Sequence, residues 1–170
     1  MNSSASRKLF PWAVKFFRLW LCCVSLSIAS SAPAQTPAAN SEPQLLSDQP
    51  ELILASTQSW GELGWNVAAH AGDQQGEPLR IGERSFAKGL GHHASGAITV
   101  LLDGAFSDFD AEVGLQPCAA IGSVIFRVIV DGEPRFESRV LRSGDAPVAV
   151  HVAVAGAMEL RLEAADADDG

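Results

Sequence analysis

The sequence predicts an all-β protein, an antiparallel β-sandwich, and three observations carry that expectation. Apolar and polar residues alternate with a period of two through one short segment after another in the second two-thirds of the chain. That spacing gives a strand one face for a core and one for water. Turn-forming pairs separate these segments, Asp131-Gly132 most clearly. Nowhere do apolar residues recur at i, i+3, i+4 and i+7 for three turns, so crossover helices, and with them a parallel sheet, are not expected.

The elements can be justified in order. From Gln35 to Pro50 the chain is rich in Ala, Pro, Ser, Asn and Gln, a linker composition over residues 35–45 with a short edge strand expected around Gln44–Leu46. Ile98, Val100 and Leu102 alternate with Thr99, Leu101 and Asp103. Phe109, Ala111 and Val113 alternate with Asp108, Asp110 and Glu112, a half-buried strand with an acidic solvent face. Ser123–Asp131 is apolar on both faces apart from Arg127, which predicts a central strand covered on both sides. Asp131-Gly132 then predicts a tight hairpin with positive φ at both central residues, and Arg135–Val140 is the returning strand. Val148, Val150 and Val152 form the next alternation, and Met158, Leu160 and Leu162 the last.

Composition narrows the function classes. The chain has 170 residues, 47% hydrophobic and 19% charged, with 15 Gly, 9 Pro and no Tyr. It is long enough for one domain with a sizeable core and too apolar for a disordered acidic tail. Twenty acidic against 12 basic residues give a formal charge of −8, which disfavours nucleic acid as a partner.

The N-terminus reads as a signal peptide over residues 1–34. Arg7, Lys8, Lys15 and Arg18 form a positive region, Leu19–Ala29 is an apolar run too short to span a bilayer as a helix, and Ala32-Pro33-Ala34 offers small residues for cleavage after Ala34. The alternative is an uncleaved membrane anchor. Cleavage would remove four of the 12 basic residues and leave 8 against 20 acidic ones, a charge near −12. The expected protein is secreted or periplasmic, monomeric and free of the membrane after processing. Cys22 and Cys23 would leave with the leader, so Cys118 would be the single remaining thiol and no internal disulfide is expected.

A family resemblance enters through the motifs. Pro78-Leu79-Arg80-Ile81-Gly82, then Ser85-Phe86-Ala87-Lys88-Gly89-Leu90-Gly91-His92-His93-Ala94, then Leu102-Asp103-Gly104, Val113-Gly114, Gly122–Phe126 and Asp131-Gly132 follow in order, with Leu160-Arg161-Leu162, Asp166 and Asp169-Gly170 at the end. This series resembles the NPCBM family of carbohydrate-binding modules, grouped with carbohydrate-binding module family 51 and often attached to glycoside hydrolases of family 98. The resemblance runs from about Leu46 to Gly170. It implies a jelly-roll sandwich of the galactose-binding-like kind over residues 46–170, galactose-type sugars as ligands, and often a structural calcium. The sequence departs from the family at Leu115-Gln116-Pro117-Cys118, where an acidic residue usually follows Val-Gly, and at Asp168, where glycine is usual. Its Asp-rich end normally leads into a further strand, so the sandwich is expected to lack its last strand.

Candidate site residues for carbohydrate are Trp60, Trp65, Lys88 and His93. The two tryptophans lie in a Gly-rich stretch, and an exposed indole stacks on the apolar C–H face of a pyranose while polar neighbours bond its hydroxyls; the alternative is a plug at the end of the core. His93 matches the family's histidine and either meets a sugar hydroxyl or satisfies backbone groups in the glycine loop. His92 is expected at the surface. Lys88 is open between loop carbonyls and a ligand. Asp166 and Asp169, with Asp168 and Asp48 near them, are hard oxygen donors for calcium, or a solvated acidic turn. Arg135, Arg139 and Arg142 are expected to balance Glu133 and Glu137.

No Gly-x-Ser-x-Gly elbow, His-Glu-x-x-His or P-loop is present. The expected function is therefore non-catalytic binding of a glycan by an exported module, either a piece of a glycoside hydrolase or a partner to one. The competing reading is a structural or protein-interaction sandwich that has lost its sugar site. Burial of Trp60, Trp65 and His93 together would favour the latter.

Overall fold

The computed structural model describes residues 43–117 and 122–167, and the backbone of residues 9–19. Its strands are β1 (Leu9–Leu19), β2 (Ile53–Gln58), β3 (Gly64–Trp65), β4 (Leu79–Ile81), β5 (Arg84–Phe86), β6 (Leu90–His93), β7 (Gly96–Leu101), β8 (Phe106–Val113), β9 (Ser123–Val130), β10 (Glu133–Glu137), β11 (Leu141–Arg142), β12 (Val148–Ala153) and β13 (Glu159–Asp166). They form two antiparallel sheets, ordered β12-β8-β1-β6-β3 and β10-β9-β13-β7-β2, with β4-β5 a separate hairpin. The all-β class expected from the alternation is therefore the fold.

The alternating positions supply the core. Phe109, Ala111 and Val113 of β8 point inward, as do Val150 and Val152 of β12, and they meet Ile98 and Val100 of β7, Phe126 and Val128 of β9, and Leu160 and Leu162 of β13. Phe109 and Phe126 are fully buried. Removing their rings from water supplies roughly 2–3 kcal/mol each. The outer face of β8 carries the acids as expected, and they are paired: Asp110 with His151 at 2.8 Å and Glu112 with Arg84.

Asp131-Gly132 makes the predicted hairpin, with φ of 49° and 83°, the twist that suits a two-residue loop between right-twisted strands. Asp131 has a second task. Its carboxylate accepts hydrogen bonds from the Met158 and Glu159 amides at 3.0 and 2.8 Å, which ties the hairpin to the start of β13.

Four expectations change. β9 is central, between β10 and β13, but Ile125, Arg127 and Ile129 on its outer face are only half-buried. The returning strand ends at Glu137 because Ser138 breaks the ladder: its hydroxyl accepts from the Phe126 amide at 2.9 Å and donates to Arg139 O at 2.7 Å. Glu137 pairs with Arg127, and Arg139 with Asp145, so the hairpin arginines do not balance the acids expected of them. The edge strand expected at Gln44–Leu46 is reduced to a bridge residue at Gln44, followed by a 3-10 turn over Leu46–Asp48 that inserts Leu46 fully into the core.

The leader expectation meets a specific placement. Leu9–Leu19 lies in the sheet between β6 and β8, antiparallel to both. Cleavage after Ala34 would remove that strand and leave its position open.

Candidate functional site

The site is a hollow at one end of the sandwich, built from two loops that glycines let come together. Trp60 follows β2, and Gly61 turns the chain after it with φ +71°. A Cβ on Gly61 would lie 2.6 Å from the carbonyl oxygen of His70, so only glycine allows that approach. The Glu62 amide donates to the same oxygen at 2.7 Å. The second loop is closed at its root by the Ala68 amide donating to Glu77 O at 2.8 Å and by a bridge between Val67 and Pro78. Gly76 fits against this root, where its Cβ would stand 2.6 Å from Ala68 O.

Between the loops lies an open hollow of about 650 Å³ lined by Trp60, His70, Gln74, Gln75, Gly76 and Glu77, together with Ala69 and Ala71. The indole of Trp60 is half-buried and supplies an apolar wall. Two amides, a carboxylate and an imidazole supply donors and acceptors on the facing rim. His70 Nδ1 is buried and has no hydrogen-bond partner among the described residues. An apolar wall opposite a polar rim suits a pyranose, which is apolar on its C–H face and polar around its edge.

Only one of the four expected carbohydrate residues lines this hollow. His93 is 1% exposed, and its Nδ1 sits 2.8 Å from Ser59 Oγ and 2.6 Å from Ala94 O. Its ring stands 5.6 Å from that of Trp60, tilted by 54°. His93 therefore backs the Trp60 wall from inside the fold and does not reach a ligand directly. Trp65, 37% exposed, belongs to β3 and does not line the hollow. Lys88 makes an exposed ion pair with Asp48 at 2.6 Å. Trp60, Trp65 and His93 are thus not all buried, and the site reading stands on Trp60.

That ion pair also takes Asp48 from the expected calcium donors. Asp169 and Asp168, like Cys118, lie outside the described residues, and the Asp166 amide bonds Ser95 Oγ at 3.3 Å. Among the described residues no three metal-donor side chains gather.

His92 is a further correction, since it is fully buried and not at the surface. All four residues of β6 are buried, because the strand is flanked on both sides within its sheet and crossed by the Val67–Ala68 backbone. Nε2 of His92 lies 2.8 Å from Thr57 O, and Nδ1 has no partner among the described residues. Burial, reinforced by His93 beside it, pushes its pKa down from 6.5 to about 4. A depressed histidine favours the neutral form in the fold. Its contribution is complete above the unfolded value near 6.5 and is lost as pH falls toward 4, by about 3 kcal/mol. Urea unfolding of His92→Gln, which keeps a donor toward Thr57 O and does not titrate, should lose that much less stability than the wild type between pH 7 and pH 4. Equal losses would mean that His92 does not titrate with folding.

His70, Gln74, Gln75 and Glu77 were missed by reasoning from sequence. The available signal was a polar loop, Ala69–Glu77, which contains Gly72 and Gly76 and is set between apolar residues. The pairings that turn it into a wall of the hollow join residues distant in sequence.

A β-sandwich whose loops hold a shallow hollow walled by tryptophan has the plan of a carbohydrate-binding module. The model of the NPCBM/NEW2 domain matches residues 43–170, and the chain belongs to that family of non-catalytic carbohydrate-binding modules. Among similar solved structures is the CBM51-2 and INT pair from Clostridium perfringens ZmpB, 29% identical with a TM-score of 0.63, covering 74% of this chain and 28% of that one. The same pair is known with GlcNAc bound. The CBM51 of a Clostridium perfringens GH95 protein, in complex with methyl-galactose, is 25% identical with a TM-score of 0.65, covering 75% of this chain and 89% of that one. A curated relative from Renibacterium salmoninarum, named provisionally as an endo-alpha-N-acetylgalactosaminidase, is 28% identical over 122 residues. That match covers 69% of this chain and 8% of the relative's length.

Proposed function

We propose that this module, carried by an exported protein, holds the terminal galactose-type sugar of a glycan in the hollow beside Trp60. The observation that carries the reading is the arrangement of that hollow, with one indole wall facing His70, Gln74, Gln75 and Glu77. The methyl-galactose complex of the GH95 relative supports the sugar class. Shallow sites of this kind bind weakly one at a time, and a module gains from being linked to an enzyme or to further modules. Its role is to keep a glycan-processing enzyme near its substrate. Calcium has no part in this reading.

The test is calorimetric titration of the full chain with methyl-galactose, N-acetylgalactosamine, GlcNAc and glucose, alongside a glycan array. Binding of the first two, with glucose silent, is expected. A folded protein that binds only GlcNAc would overturn the sugar class. One that binds no glycan would favour the interaction-module alternative.

A further inference from the structure

We propose that the gap between β6 and β8 is a strand-acceptor site, whose occupant in the unprocessed chain is the basic segment Leu9–Leu19, held by backbone pairing and separable from the sandwich. The argument starts from sheet order. The chain's first strand lies between its sixth and eighth, while every other strand of both sheets comes from Ile53–Asp166. Without β1 that sheet would split into β12-β8 and β6-β3. It would expose the amides and carbonyls of two strand edges, one of them on a strand whose four residues are all buried. Bare edges of that kind are costly and recruit whatever extended segment is at hand.

The pairing defines what the site accepts. The occupant enters opposite His93, passes β6 from Leu9 to Trp12, and then follows β8 from Trp12 opposite Val113 to Leu19 opposite Phe106. It runs antiparallel to both neighbours. The fit is loose. The register against β8 shifts between Val14 and Phe16 and again between Phe17 and Leu19, so Lys15 and Arg18 fall at the irregularities. On its other edge β8 pairs with β12 over six residues without a shift. The site thus accepts an extended segment by backbone pairing and tolerates variation in register.

The experiment uses the full chain with a protease site engineered within residues 20–42. After cutting, the N-terminal piece should stay with the body on size-exclusion chromatography, and a labelled peptide of residues 9–19 in excess should exchange into the complex. The same peptide with Val14→Pro, which lacks the amide opposite Ala111, should bind at least tenfold more weakly. Loss of the piece without uptake of the labelled peptide would overturn the proposal, whether the body stays folded or aggregates. Equal binding of the proline peptide would show apolar adhesion in place of strand pairing. A body that closes the gap with a second copy of itself and excludes the peptide would show a different occupant.

Discussion

Replacing Trp60 with alanine is expected to abolish retention on a galactose-type affinity column and to weaken binding in solution about 30-fold or more, on the order of 2 kcal/mol. The reason lies in the asymmetry of the hollow. Its polar groups can each exchange a sugar hydroxyl for water at little net gain, whereas the indole is the one large apolar surface in it. Trp60→Phe keeps a smaller ring and should recover part of the affinity. Trp65→Ala is the informative control, because Trp65 is exposed but lines no part of the hollow. It should bind as the wild type does. The Trp60 ring is half-buried against His93, so Trp60→Ala should also lower stability by about 1 kcal/mol, while its circular dichroism stays unchanged. Equal losses from Trp60→Ala and Trp65→Ala would mean that the glycan lies across the outer surface and not in the hollow.

Much of the sandwich was legible because its strands are each half-buried. Alternation in β8, β12 and β13 assigns most inward residues correctly, since one face meets the core and the other meets water, but Met158, in register with Leu160 and Leu162, is exposed, and buried Phe106 falls off the period of two. The Asp131-Gly132 turn was legible because its chemistry is local. Legibility fails where burial is decided from a distance. His92 looks like a surface residue after two glycines, yet it lies on a strand whose residues are all buried. Ser138 ends a strand through a bond to Phe126, twelve residues away. Leu9–Leu19 has the charge and composition of a leader, and a strand position in a sheet does not erase that pattern. Trp60 was found because an aromatic in a glycine-rich loop is visible in sequence. Its partners across the hollow depend on the Glu62–His70 and Ala68–Glu77 contacts, which no local pattern encodes.

Those contacts rest on a pair of glycines, and their substitution carries the largest expected effect on stability. Gly64 of β3 and Gly91 of β6 face each other in register. The backbone at Val67 and Ala68 passes directly over both. A Cβ on Gly91 would lie 2.2 Å from Val67 O and 2.6 Å from Ala68 C, and one on Gly64 would lie 2.2 Å from Val67 O. These obstacles are main chain, so no side-chain rotation relieves them. Gly91→Ala should therefore cost about 3 kcal/mol, the upper range for overpacking a close-packed site. Because Val67 and Ala68 form the root of the loop that carries His70 to Glu77, glycan affinity should fall with stability even though Gly91 lines no part of the hollow. Gly72→Ala separates the two effects: φ is +52° but nothing stands near its Cβ, so only backbone strain of about 1 kcal/mol is expected. Urea midpoints and galactose titrations on both variants provide the check. If Gly91→Ala proves as mild as Gly72→Ala, the crossing over β6 is not a close contact. The glycine in the Gly-Leu-Gly-His-His motif would then need another explanation than making room for the loop that bears the sugar site.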